Sequence, residues 1–152
     1  GVHVTDENYA VVERLAHWEA ALWMLGDHPI LGVGIGNYVP TYPAYALPGW
    51  KDALGHAHNY YLHVAAETGL VGLAAYLFLL GACFRHGWSA VRSLTGAYQG
   101  VALGVLGVLT AFATHSLFDN LYVHGMNMHI AMLLGLLSVF HRRREVSVVQ
   151  AT

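Results

Sequence analysis

Hydropathy changes character once along the chain, at Gly69. Beyond it lie three apolar runs: GLVGLAAYLFLLGACF (69–84), YQGVALGVLGVLTAFATHSLF (98–118) and MNMHIAMLLGLLSVF (126–140). A helix needs roughly 17–25 mostly apolar residues to cross a bilayer. The second run meets that length, while the first and third need flanking residues to complete a crossing. The pattern therefore predicts three membrane-spanning helices, the first ended by RHGWSAVR and the third by HRRR. Gly100, Gly104, Gly107 and Ala111 suit close helix packing in lipid. Before Gly69 the period is different. Val11, Leu15, Trp18, Leu22 and Leu25 recur at spacings of three and four, which predicts one helix with an apolar stripe. Thr5 or Asp6 is its expected cap, with acids in the first turn, and Gly26 with Asp27-His28-Pro29 ends it. Arg14 and His17 share a flank beside the stripe, on neighbouring turns. The expected fold is thus all-α: a polytopic membrane protein fragment with a helical loop region (1–68) before a three-span region (69–152).

Composition sharpens this reading. The chain is 56% apolar and only 11% charged, where soluble domains carry about a quarter charged residues; its mean hydropathy is +0.45. A soluble bundle of unusually apolar helices is the alternative, and three unbroken runs with a consistent charge bias weigh against it. Seven of the nine acidic residues precede Gly69. Of the seven basic residues, Arg85, Arg92 and Arg142 to Arg144 follow it, and only Arg14 and Lys51 precede it. Lys/Arg counts in short loops set orientation. The segment 85–97 and the C-terminal tail are therefore expected to be cytoplasmic, with residues 1–68 and the 116–125 turn on the outer side. A net charge of −2 gives no basic field for nucleic acid. Cys83 is the single cysteine and lies in an apolar run, so no intrachain disulfide forms. The opening GVHVTDENY has no initiator Met and no signal-peptide pattern, which suggests a piece of a longer protein.

Three stretches carry candidate chemistry. LGVGIGNY (31–38), with Gly32, Gly34 and Gly36, can bring backbone N–H groups close to a phosphate or sugar, or can be a tight structural turn. It lacks the strand–loop–helix context and Lys of a nucleotide-binding loop. VPTYPAYALPGW (39–50) reads as an irregular interfacial loop whose rings could stack on sugar or sit at headgroup level. HAHNYYLHVAAETGLVG (56–72) places three histidines and a glutamate at the rim of an apolar run. As metal ligands they are poorly spaced. His56 and His58 share a face only in extended chain, His63 is far round a helix from His58, and no HExxH or acid–cysteine cluster supports them. His58 could instead take a proton from a hydroxyl, or simply cap the helix start. Arg14 is suited to bidentate phosphate binding, and equally to pairing with Glu13, Glu19 or a lipid phosphate.

The residues together resemble a known family. His58-Asn59, nine residues, then Gly69-Leu70-Val71-Gly72 has the form HN-x9-GxxG. Upstream stand Arg14, Trp18 and Ala21, followed by DHPILGVGIGNY (27–38), and His115-Ser116-Leu117-Phe118-Asp119 resembles the polar end of a late span. This combination, over about residues 8 to 140, is similar to the O-antigen ligase and polymerase superfamily of bacterial inner-membrane glycosyltransferases. The resemblance implies ten or more spans in the whole protein and a periplasmic loop folded over the membrane. It implies transfer of a glycan from an undecaprenyl-diphosphate carrier to an acceptor hydroxyl, with no cofactor, nucleotide sugar or metal. By motif, His58 would activate or orient the acceptor and Arg14 would bind the diphosphate. Asn59, Gly34 and Gly36 would line the substrate side, with Asn59 and Glu67 chiefly holding the loop. Gly69 and Gly72 would allow close helix packing, and His56 and His63 would orient neighbours. Further arginines expected for the diphosphate have no counterpart here. The acceptor (lipid A core, another repeat unit, a protein hydroxyl or a cell-wall polymer) stays open. A transporter or ion-handling module is the alternative, with His115, Asp119 and His129 lining a polar path. A structural membrane domain that docks a partner is a third reading.

Overall fold

The computed structural model describes residues 3–122 and 125–150, with side chains described as far as Arg142. Arg143 and Arg144 of the expected basic tail lie outside the described side chains. Every regular element among the described residues is helical: α1 (Tyr9–Asp27), α2 (Tyr38–Thr41), a single 3₁₀ turn (Tyr42–Ala44), α3 (Tyr60–Ser93), α4 (Gly96–His115) and α5 (Met126–Gln150). The chain packs as two units, one formed by Gly1–Leu77 with His115–Leu121 and the other by Phe78–Thr114 with Tyr122–Thr152.

In the first unit α1 forms where its periodicity predicts, but it buries a different face. Ala16, His17, Ala20, Ala21 and Met24 are buried. Val11, Leu15 and Leu22, from the apolar stripe, are half or more exposed. Small side chains explain this: an alanine face admits the Tyr38–Tyr42 segment at close range, and Met24, Tyr38, Tyr42, Ala57 and Ala66 complete the core. The start of α1 also differs from expectation. Asn8 occupies the cap position without a side-chain cap bond, and no acid lies in the first turn. Thr5 instead shapes the preceding turn, its carbonyl accepting from the N–H groups of Asn8 and Tyr9. Tyr42, expected in an interfacial loop, is a fully buried core residue, and so is Tyr38 at the end of the glycine-rich stretch.

α3 is two helical stretches joined at Gly69, where φ is 65° and ψ is −167°. Only glycine adopts that region without strain. The break frees two amides, and the residues leading into the glycine-rich loop supply their acceptors: Leu70 N–H donates to Pro29 O (2.8 Å) and Val71 N–H to Ile30 O (3.4 Å). Bonds run the other way as well, from Val33 N–H to Ala66 O and from Gly34 N–H to Glu67 O, both 2.9 Å. A Cβ on Gly69 would strike the Ile30 carbonyl, and one on Gly32 would strike the Glu67 backbone. Gly69 therefore serves a loop–helix junction. A Cβ on Gly72 would strike the Thr68 side chain of the same element.

The second unit joins the outer part of α3, α4 and α5 around Ala90, Leu94, Ala102, Val105, Leu109 and Leu137. Polar side chains pair across it, Ser93 Oγ with His141 Nε2 at 2.7 Å and Ser138 Oγ with His86 Nε2 at 3.1 Å. On α4 the buried face is Ala102, Val105, Leu109 and Phe112. A Cβ added at Gly100, Gly104 or Gly107 would meet nothing within 4 Å, so these glycines pack against no described element. Two helices, α3 and α4, are long and apolar enough to cross a membrane. The third expected span is corrected: α5 forms but does not qualify, because its apolar part stops at Phe140, before His141 and Arg142. Fifteen residues of helix rise only about 22 Å, short of a hydrocarbon core of about 30 Å.

Candidate active site at the start of helix α3

Asn59 starts α3. Its Oδ1 accepts from Leu62 N–H at 3.0 Å and its carbonyl accepts from His63 N–H, the geometry of a side-chain cap. Glu67, two turns on, accepts from Tyr38 N–H through Oε1 (3.0 Å) and has Oε2 at 3.8 Å from His63 Nε2. Asn59 thus fixes the start of α3, and Glu67 holds the end of the glycine-rich loop.

His58 precedes the cap with φ at 51°, a left-handed conformation for a residue with a side chain. Side chains grip both polar groups of its backbone. Its N–H donates to His56 Nδ1 at 3.1 Å, and its carbonyl accepts from Trp18 Nε1 at 3.0 Å. The His58 ring lies edge-on to His17 (5.3 Å between centroids) and to His56 (4.4 Å). A third partner arrives from the end of α4. Tyr60 N–H donates to Ser116 O at 2.8 Å, and the turn after His115 closes through Phe118 and Asp119 N–H groups on the His115 carbonyl. Asp119 Oδ1 is thereby set 3.4 Å from His58 Nδ1 and 3.8 Å from His56 Nε2. Both ring nitrogens of His58 are buried without a hydrogen-bond partner among the described residues, so the Asp119 approach to Nδ1 is an ion-pair contact.

The electrostatics follow from this packing. Burial alone would raise the Asp119 carboxyl, but Asn120 N–H and the His58 and His56 rings hold it below its ordinary value. Burial, with the neighbouring His58, pushes His56 down. His17 is fully buried; burial first, then His58 and His56, lower its pKa to about 4. A neutral His17 stacks on Tyr42 at 4.7 Å, and its Nδ1 lies 3.3 Å from the Tyr38 hydroxyl.

Arg14 stands one turn before His17 on α1. Its guanidinium donates to Ala10 O at 2.9 Å, and no carboxylate pairs with it among the described residues. Gly34 and Gly36 both have positive φ (102° and 79°), and the Gly34 N–H is taken by Glu67 O. His115 and His129 are exposed. Sequence reasoning singles out His58, Arg14, Asn59 and the glycines, but it does not join Asp119 to His58, nor does it find His17 and Trp18 as supports of His58. The adjacency of Arg14 and His17 on one helix is the available signal for the latter.

His56, His58 and Asp119 each offer a ligand atom within 4.8 Å of the others, so these are the residues that could hold a metal. Spacing along the histidine stretch alone does not reveal the trio, because its third member comes from beyond α4. The surroundings fit a metal poorly. A ligating histidine ordinarily donates its other ring N–H to an acceptor. His56 Nδ1 instead faces a donor, the His58 N–H.

No curated protein matches the chain. Residues 4–77 match the family model described as O-antigen ligase, a span that holds α1, the glycine-rich loop, His58 and the Gly69 break. Asp119 lies outside it and is joined to it by the fold. This match places residues 4–77 in the O-antigen ligase family.

Proposed function

We propose that the chain carries the acceptor-activating side of a lipid-linked glycan transferase. The observation that supports it most is the His58 ring: Nδ1 lies 3.4 Å from the Asp119 carboxylate, close enough to pair with it, and both ring nitrogens are buried with no hydrogen-bond partner among the described residues, which leaves Nε2 for a substrate. A carboxylate on one ring nitrogen fixes the tautomer that leaves the other nitrogen's lone pair for a substrate proton.

In the reaction, His58 Nε2 removes the proton from an acceptor hydroxyl. The oxygen forms a bond to the anomeric carbon of the glycan, and the bond from that carbon to undecaprenyl diphosphate breaks, its electron pair leaving with the diphosphate. Asp119 stabilises the imidazolium, and Arg14 swings from the Ala10 carbonyl to the diphosphate as its charge grows. Asn59, Gly34 and Gly36 act on the substrate through the shape of the loop and helix start, since Asn59 Oδ1 and the Gly34 N–H already have partners. The Lys/Arg bias supports a topology with residues 1–68 and the 116–125 turn outside the cytoplasmic membrane and the 85–97 segment, from the end of α3 into the start of α4, inside. The acceptor is a lipid, a glycan or another hydroxyl-bearing polymer; no nucleic acid takes part. The family match does not favour the transport reading.

The test is glycan transfer in cells whose only copy of the full-length protein carries His58→Ala or Arg14→Ala. Both are expected to abolish transfer at normal protein levels. Normal polysaccharide from both variants refutes the mechanism.

A further inference from the structure

We infer that His56 is a positioning residue, which holds the Asp119 carboxylate against His58 through a ring N–H on Nε2. The inference rests on the proposed role of His58 and goes beyond it.

The tautomer follows from hydrogen bonding. The His58 backbone N–H donates to His56 Nδ1 at 3.1 Å, so that nitrogen presents its lone pair. In a neutral imidazole the single ring proton then sits on Nε2. Nε2 is the atom that approaches Asp119 Oδ1, at 3.8 Å. This is a donor facing an acceptor, slightly beyond direct hydrogen-bond length. Burial and the neighbouring His58 favour the neutral ring that this arrangement requires.

Asp119 has need of such a hold. It sits in the turn after α4 with its side chain 37% exposed. Besides the two rings, Oδ1 receives the N–H of its own neighbour, Asn120, at 2.8 Å. That local bond fixes the carboxylate to its turn, not to His58. The His56 N–H draws Oδ1 into the space between the two rings. One peptide amide thus serves two ends: it fixes the His56 tautomer from the residue whose own ring the carboxylate orients. The same amide works against a metal at this trio, because ligation through His56 Nε2 would move its proton onto Nδ1, against another donor.

The experiment has two arms. In the first, the ¹⁵N-histidine-labelled chain in detergent micelles is examined by long-range ¹H–¹⁵N NMR, with His56 assigned from its loss in His56→Gln. Protonated Nε2 and bare Nδ1 are expected; the opposite tautomer overturns the inference. In the second, transfer by the purified full-length enzyme is measured with a lipid-diphosphate-linked glycan donor. His56→Ala is expected to lower kcat about tenfold with KM within about twofold. His56→Gln, whose amide nitrogen can reproduce the Nε2 donor, is expected to recover most of the rate. Full activity in His56→Ala, or equal loss in His56→Ala and His56→Gln, overturns the inference while leaving His58 as base. An active His58→Ala enzyme refutes the role of His58 itself, and the NMR arm still reports on the tautomer.

Discussion

The Gly69→Ala substitution tests the junction between the glycine-rich loop and α3. Gly69 has φ 65° and ψ −167°, a region that costs a residue with a side chain about 1–3 kcal/mol. The new methyl also meets the Ile30 carbonyl, and neither backbone segment can yield without parting the bonds between Leu70 and Pro29 and between Val71 and Ile30. Each is worth roughly 1 kcal/mol net, so the whole penalty is about 3–5 kcal/mol. Gly36→Ala is the control: its φ is 79°, but nothing lies within 4 Å of the added carbon, and strain alone costs about 1 kcal/mol. Hydrogen exchange of the detergent-solubilised protein reads the difference. At about 1.4 kcal/mol per tenfold, Gly69→Ala should lower protection of Val33, Gly34, Leu70 and Val71 by a factor of about 100 to 3,000. Gly36→Ala should lower it about fivefold. Protection in Gly69→Ala within threefold of wild type, or equal loss in both variants, would show that the junction does not depend on glycine at 69.

Asp119→Asn should leave the fold intact, since its carboxylate is partly exposed, and reduce transfer about 10²- to 10³-fold through loss of imidazolium stabilisation; activity and thermal unfolding of one preparation separate the two. Tyr38→Phe removes the hydroxyl that meets His17 Nδ1 and the His17 carbonyl and should cost about 1 kcal/mol in unfolding experiments; an unchanged midpoint contradicts that contact. Acid should weaken the first unit. His17 binds a proton at about pH 6.5 when unfolded but only at about 4 when folded. The unfolded state therefore holds more protons between those values, and stability falls as pH drops through the window, by at most about 3 kcal/mol. Tryptophan fluorescence during denaturation at pH 7 and pH 5 should show it, and His17→Phe should flatten the dependence.

Much of the helical architecture is legible in periodicity, and the failures of that reading share a cause. α1 lies where spacing puts it, yet its buried face is the alanine face. A hydrophobic pattern ranks side chains by apolarity, whereas close approach of a backbone segment selects for small ones. The same blindness affects Tyr38 and Tyr42, whose hydroxyls find partners in His17 and the Trp50 carbonyl and so can be buried. The third apolar run looks like a span by composition, but among the described residues the apolar part of α5 falls short of a crossing length, because basic residues follow it. At the site, motif spacing singles out His58. It cannot supply Asp119, which lies beyond α4 in a turn tied to the start of α3 by the backbone bond from Tyr60 to Ser116. The glycines of the loop suggest free amides, whereas two of the loop's N–H groups, those of Val33 and Gly34, are bonded to α3.

The bond from Trp18 to the His58 carbonyl has a mechanical meaning. Trp18 lies one turn beyond Arg14 on α1, so the arginine that grips the leaving group in our scheme and the histidine that takes the proton are tied to one rigid rod. Helices transmit displacement along their length with little loss. A pull on Arg14 by an arriving diphosphate is therefore also a pull on the peptide that aims the base. In that scheme, donor arrival and acceptor activation would be coupled through α1.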